Sequence, residues 1–149
     1  FVNVSQVLDA MELLRKGATL VYPYSGDFVD LNREEYLKHG AIIEHPSYVK
    51  DSVGGVFFVN KEDYKKCGYE DQNIISWGPE DAERYHRVKT LGYRIERTEG
   101  KCYHISHPPS DNSGVNKYTE HNNNEYMNIT SLSKEDLEKE IATWEWARN

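Results

Sequence analysis

At 149 residues the chain is the size of a single domain, long enough to bury about two-thirds of its surface. A net charge of −7 argues against a general nucleic-acid surface, although an acidic chain still holds an anionic nucleotide where a metal ion neutralises the contact. No apolar run approaches the ~18 residues of a membrane span and no signal peptide is recognisable, so a cytoplasmic location is expected. Two cysteines, Cys67 and Cys102, are too few for a disulfide scaffold, and the sequence leaves their pairing open. The chain begins with Phe1 rather than Met, which reads as processing or excision from something longer.

In chain order, Asn3 or Ser5 caps a first helix, with Val4, Val7, Leu8, Met11 and Leu14 at helical spacing and Gly17 as its stop. Thr19 to Tyr24 reads as a short strand, and Pro23 makes it an edge or a strand end. Asp30 to Gly40 gives a polar second helix, and Ala41 to Ser52 a loop with a short strand inside it. Gly54 to Val59 is the clearest strand, two glycines followed by β-branched and aromatic residues. Asn60 caps a short helix through Lys65, ended by Gly68.

The polar segment from Tyr69 to Ser76 leads into Trp77-Gly78-Pro79-Glu80-Asp81-Ala82-Glu83. This is an aromatic corner, a tight turn and a helix running to about Leu91, with Gly92 as its stop. Ala82, Tyr85, Val88 and Leu91 share a face, while Glu83 and Arg87 are spaced to pair at i,i+4. Tyr93–Arg97 and Lys101–Ile105 read as two strands around a Glu99-Gly100 turn. Ser106 to Tyr126, rich in Pro, Ser and Asn, reads as a lid or mobile loop. Ser133, with Asp136 as a capping-box partner, starts a last helix that buries Leu137, Ile141 and Trp144.

Each chemically suggestive feature has a plain structural explanation. Proline is favoured at a helix start, and acidic residues in the first turn complement the helix dipole by about 0.3–1 kcal/mol each. A glycine pair marks a bend, a tryptophan fills a core, and histidines beside prolines sit in loops. Their order and spacing carry more. Gly54-Gly55-Val56, Trp77-Gly78-Pro79-Glu80-Asp81 and Lys101-Cys102-Tyr103-His104-Ile105-Ser106-His107 together resemble the C-terminal half of GT-A fold glycosyltransferases. The nearest pattern is the galactosyltransferase C-terminal domain of β-1,4-galactosyltransferases, with related segments in chondroitin-polymerase-like and polypeptide N-acetylgalactosaminyltransferase-like enzymes. The resemblance spans roughly residues 50–110, and Thr19–Asp30 looks like the family's preceding segment. The tail beyond about Tyr126 matches no part of it.

The resemblance implies an α/β fold, the C-terminal half of a GT-A domain: a small mixed sheet flanked by about four helices. It implies an inverting, metal-dependent sugar transfer from a nucleotide-sugar donor to a carbohydrate acceptor hydroxyl. The family's Trp-Gly-Gly-Glu-Asp motif falls on Trp77, Gly78, Pro79, Glu80 and Asp81, with Pro79 in place of the second glycine. Asp81 takes the position of the catalytic base, Glu80 that of its sugar-binding acidic neighbour, and Trp77 that of an aromatic lying against the sugars. Gly54 and Gly55 let the backbone approach the donor. The metal-binding histidine falls on His107 by the galactosyltransferase pattern and on His104 by the polymerase-like one. The chemistry is coherent: a carboxylate serves as general base toward an alcohol, and Mn²⁺ or another divalent ion, held by imidazole and oxygen ligands, stabilises a departing diphosphate.

The departure is the family's Asp-X-Asp triplet, which occurs nowhere in the chain; Asp27-Phe28-Val29-Asp30 has the wrong spacing. Residues 1–16 look like the family's segment on the C-terminal side of that triplet, so the nucleotide-binding half is expected to precede Phe1. On that expectation the isolated chain is inactive, exposes apolar surface and tends to self-associate. A rival reading is a non-catalytic carbohydrate-binding or interaction module built on the same surface. A third, a hydrolytic metal site using His86, His104 and His107, has no His-Glu-X-X-His spacing behind it.

Overall fold

Gln6, a polar residue, is almost fully buried in the first helix, and it ties that helix to the strands beside it. In the computed structural model, which describes residues 1–40, 48–108, 110 and 113–148, α1 runs Val4–Arg15. Gln6 Oε1 accepts from the Asn3 backbone N–H at 2.9 Å, while Nε2 donates to the carbonyls of Pro23 at 2.7 Å and Lys101 at 3.2 Å. Ala10 is buried with it, against Ala18 and Val21 and flanked by Leu13, Leu14 and Phe58. Val4, Leu8 and Met11, expected to face the core, are instead exposed. The buried face therefore carries a small and a polar residue. The apolar stripe read from sequence lies to one side of this face and meets it at Leu14.

The chain divides into two compact units, Phe1–Phe58 with Glu96–Pro108, and Val59–Ile95 with Pro109–Asn149. The first holds α1, β1 (Leu20–Tyr22), β2 (Phe28–Leu31), α2 (Arg33–His39), β3 (Tyr48–Val49) and β6 (Cys102–Ile105). β4 (Phe58–Val59) and β5 (Ile95–Arg97) carry the chain across the boundary. Two three-stranded sheets result among the described residues, ordered β4-β1-β5 and β3-β2-β6. In the second, β2 pairs antiparallel with β3 and parallel with β6, with Asp30 in register with His104.

The expected small mixed sheet is thus two short sheets. β1 ends at Tyr22, just before Pro23, and is a central strand, so the proline marks its end and not an edge. The sequence pattern missed β2. The strand expected over Gly54–Val59 is confined to Phe58–Val59, because Gly55 adopts φ +82° and a Cβ there would lie 2.4 Å from Phe28 Cε2. β5 and β6 join different sheets, so no hairpin forms around Gly100. The expected loop over Ala41–Ser52 lies outside the described residues up to position 47.

The second unit is helical: α3 (Lys61–Lys66), α4 (Glu80–Thr90), α5 (Thr119–Ser131), α6 (Lys134–Thr143) and a closing 3-10 turn, Glu145–Arg148. With α1 and α2 that makes six α-helices among the described residues, not about four. α5 falls within and beyond the segment read as a loop. The caps read from sequence at Asn60 and Ser133 are present, Asn60 accepting from two backbone N–H groups and Ser133 Oγ from Asp136 N at 3.2 Å; Asn32, not singled out from sequence, caps α2 in the same way. Leu137, Ile141 and Trp144 are buried as expected, and Cys67 and Cys102 are free, buried thiols.

The core of this unit is organised by a charge. Arg87, 1% exposed, pairs with Glu83 through Nε–Oε1 at 2.6 Å and Nη2–Oε2 at 3.1 Å. It also donates to the carbonyls of Cys67 and Tyr69 and lies 5.3 Å from the centre of the Trp144 ring. A guanidinium withdrawn from water is tolerable only when its donors are met in this way. Glu83→Ala strands that charge and is expected to lower unfolding stability by about 3–5 kcal/mol in urea titrations. A loss below about 1 kcal/mol, the worth of a surface pair, would contradict the assignment.

Candidate functional site

The residues singled out by sequence fall into both units: Trp77, Gly78, Glu80 and Asp81 in one, Gly54, Gly55, His104 and His107 in the other. In the helical unit, Pro79 is the N-cap of α4 and Glu80 its first residue, so Glu80, Asp81 and Glu83 crowd the first turn. Four unsatisfied N–H groups and the helix dipole favour negative charge there. Asp81 is nevertheless not left to the dipole alone. Its Oδ1 accepts from Arg84 Nη1 at 2.7 Å.

Arg84 is itself buried, its side chain 5% exposed, and its Nε and Nη2 grip the two Glu70 oxygens at 2.8 and 3.0 Å. The Tyr64 hydroxyl also donates to Glu70, and burial with that hydrogen bond pushes the phenol's pKa upward, keeping it a neutral donor. The arrangement is a fork-to-fork pair with one spare guanidinium nitrogen aimed at Asp81. Asp81 keeps a side-chain exposure of 38%. Its neighbour Glu80 differs: burial raises its pKa, and Oε2 has no hydrogen-bond partner among the described residues. Two adjacent carboxylates therefore sit in unlike surroundings, one charge-paired and half-open, the other partly dehydrated.

Trp77 is 53% exposed, and a cavity of about 150 Å³ opens beside it, lined by Trp77, Gly78, Pro79, Thr119, Asn122 and Asn123. Ser76 just before it adopts φ +62°, a left-handed conformation costly for a residue with a side chain. The backbone is held there by Asn122, whose amide accepts from Ile75 N at 2.9 Å and donates to the carbonyls of Ile75 at 2.8 Å and Trp77 at 3.1 Å. Upstream, the Asn73 side chain donates to Glu125 and His121 Nε2 donates to the Asn73 carbonyl. Segment 71–77 is thus fixed from α5.

In the other unit, His104 Nδ1 lies 2.8 Å from Asp30 Oδ1, its ring stacks on Phe28 at 5.6 Å, and the His107 ring lies 5.2 Å away. Gly55 packs on the same Phe28, and the Gly54 carbonyl accepts from the Tyr24 hydroxyl at 2.5 Å. A cavity of about 400 Å³ beside His107 is lined also by Asn32, Arg33, Glu34 and Ser106. A carboxylate on Nδ1 orients an imidazole so that Nε2 can bind a metal. Among the described residues, however, no group of three or more His, Cys, Asp or Glu side chains is arranged to hold an ion.

Residues 41–108 match the family model described as the N-terminal domain of galactosyltransferase. The matched segment is galactosyltransferase-like. It contains all eight residues selected from the sequence, although its description names the N-terminal domain where the resemblance had implied the C-terminal half. Beta-1,4-galactosyltransferase 7 of Homo sapiens is 33% identical over 72 residues, 44% of this chain and 22% of the human protein. The Mus musculus protein of that name is 37% identical over 57 residues, 38% of this chain and 17% of its own length. That of Drosophila melanogaster is 28% identical over 98 residues, 65% of this chain and 27% of its own. The chain thus spans about a quarter or less of these relatives. No solved structure matches it.

Sequence reasoning missed Arg84, Glu70, Asn122 and Asp30. The spacing of Asp81 and Arg84, one helical turn, was a readable signal. Glu70 and Asn122 reach their partners only through tertiary packing, and Asp30 was hidden with the unrecognised β2. Asp71 is a further buried carboxyl: Oδ1 accepts from Asn73 N at 2.9 Å, while Oδ2 has no partner among the described residues. Burial, with Glu83 and Glu125 nearby, raises its pKa from 3.8 to about 6. An acid raised on folding binds more protons in the native state between those values, so its contribution to stability falls as pH rises from about 4 to about 6. Asp71→Asn is expected to remove that decline and to raise the melting temperature at pH 7. Melting curves with unchanged pH dependence over that interval would show that Asp71 is not the titrating group.

Proposed function

We propose that this chain is part of a galactosyltransferase-type glycosyltransferase, contributing the acceptor-side base from the first turn of α4. The observation that carries this reading is the state of Asp81. It is half-exposed, oriented by a buried Arg84, and follows closely in sequence on Trp77, Gly78 and Pro79, which line one side of a cavity; all four residues lie in the galactosyltransferase-like segment. With Oδ1 engaged by Arg84, the other oxygen is offered to a sugar hydroxyl. In an inverting transfer Asp81 takes the hydroxyl proton as the oxygen bonds to the donor's anomeric carbon. The bond from that carbon to the nucleotide diphosphate breaks on the opposite face, and the diphosphate leaves with the electron pair. Glu80, partly dehydrated, contacts sugar hydroxyls, and Trp77 supplies an apolar face for a ring.

Gly54 and Gly55, packed closely on Tyr24 and Phe28, serve donor approach in this reading. His107, or alternatively His104, is the protein's ligand to Mn²⁺ or another divalent ion, which when bound neutralises charge on the departing diphosphate. The Asp30–His104 hydrogen bond favours His104 as the oriented imidazole, whereas His107 lines the adjoining cavity. The rival, a non-catalytic carbohydrate-binding module, draws on one observation: the chain's 149 residues contain no Asp-X-Asp triplet.

Asp81→Asn, in a protein carrying this chain, is expected to lower the transfer rate by roughly 10²–10⁴, the usual worth of a general base, with folding intact by circular dichroism. Rates within a few-fold of the parent would leave Asp81 as a helix-start residue only. For the metal, His104→Ala and His107→Ala are compared by manganese titration of activity. One of the two is expected to need a higher metal concentration, and no change in either would remove both from the ion's surroundings.

A further inference from the structure

Glu70 and Asp81 bond to the same buried cation, but not in the same way. Glu70 takes the Nε–Nη2 edge of Arg84 with both of its oxygens, at 2.8 and 3.0 Å, the two-pronged geometry that a guanidinium and a carboxylate prefer. Asp81 is reached by Nη1 alone, at 2.7 Å and through Oδ1. Glu70 is itself steadied by the Tyr64 hydroxyl, which donates to the oxygen that Arg84 Nε also holds. Exposure sets the order of need. The Arg84 side chain is 5% exposed, that of Glu70 45% and that of Asp81 38%. The cation has almost no water to turn to, so it keeps the carboxylates within its reach. With Glu70 gone, the carboxylate already in contact is Asp81, one helical turn earlier on α4.

We propose that Glu70 is a positioning residue that keeps Asp81 open. By holding Arg84 along one edge, it prevents the guanidinium from turning to clasp both Asp81 oxygens. The proposal rests on the reading of Asp81 as the base toward the acceptor hydroxyl. It adds that the base is kept available by a residue that acts on it only through Arg84. A carboxylate that receives both prongs of a guanidinium has its lone pairs engaged and takes up a proton less readily. One held at a single oxygen is oriented without being blocked. The consequence has an uncommon sign: losing Glu70 harms Asp81 through Arg84, so losing Arg84 as well relieves the harm.

The test uses a protein carrying this chain, with kcat and KM measured for a nucleotide-diphosphate sugar donor and a methyl glycoside acceptor. Glu70→Ala is expected to lower kcat about tenfold or more while the KM for donor stays within about twofold. Adding Arg84→Met, which replaces the buried cation by an apolar side chain, is expected to raise kcat about threefold or more above Glu70→Ala alone. A role confined to packing gives the reverse, because the second loss then adds to the first. Where circular dichroism shows Glu70→Ala unfolded, Glu70→Gln, which keeps the shape and loses the charge, takes its place. Unchanged kcat in the single variant, or a kcat no higher in the double one, would overturn the proposal while leaving the proposed activity standing. Absence of transfer by the parent protein counts against the activity, and the crystal structure of the single variant then decides. Arg84 bonded to both Asp81 oxygens supports the proposal; Arg84 on Oδ1 alone, or turned away from Asp81, overturns it.

Discussion

The helical unit depends on one buried cation. Arg87 lies in the last turn of α4, and every direction in which its guanidinium points is answered: Glu83 one turn earlier, the carbonyls of Cys67 and Tyr69, and the face of Trp144. Those partners come from the ends of three different helices and the segment between them. The ion pair therefore does more than add energy. Desolvating a guanidinium is so unfavourable that arrangements which leave it unpaired are excluded, and α4 is confined to one rotation about its axis. That rotation decides where the first turn, with Glu80 and Asp81, presents its carboxylates.

The same device recurs one turn closer to the site. Arg84 is buried, yet Glu70 satisfies two of its nitrogens and so leaves one directed at Asp81. A fully exposed carboxylate at a helix start rotates freely; this one is held at one oxygen and open at the other. Glu80, next in sequence, has the opposite circumstances, with burial in place of a cationic partner. Unlike environments for neighbouring acids are how a site assigns them different tasks. The backbone leading into this turn is fixed from the other side by Asn122, whose two-way bonding to Ile75 stands in for a missing strand neighbour.

Local signals were legible and tertiary ones were not. Asn60 and Ser133 announced helix starts because a cap is chemistry between residues two or three apart. The apolar spacing of Leu137, Ile141 and Trp144 located a buried face. The same logic failed on α1, where Gln6 and Ala10 are buried and Val4, Leu8 and Met11 are not, because a polar side chain with three partners can occupy a core position. α5 escaped because its Asn-rich stretch has weak helix propensity and few apolar residues; packing, not propensity, makes it helical. At the site, Glu80 and Asp81 were visible as a motif. Their electrostatic control was not, since Glu70 is fourteen residues from Arg84 and Asn122 forty-five from Trp77.

The central claim is that Asp81 promotes a single displacement at a sugar's anomeric carbon, which has one stereochemical consequence. The direct measurement is proton NMR of the product formed from an α-linked nucleotide-diphosphate sugar and a methyl glycoside acceptor, read from the coupling constant at the new anomeric position. A β-linked product is what this account predicts. An α-linked product, or free sugar released without a glycoside, would contradict it.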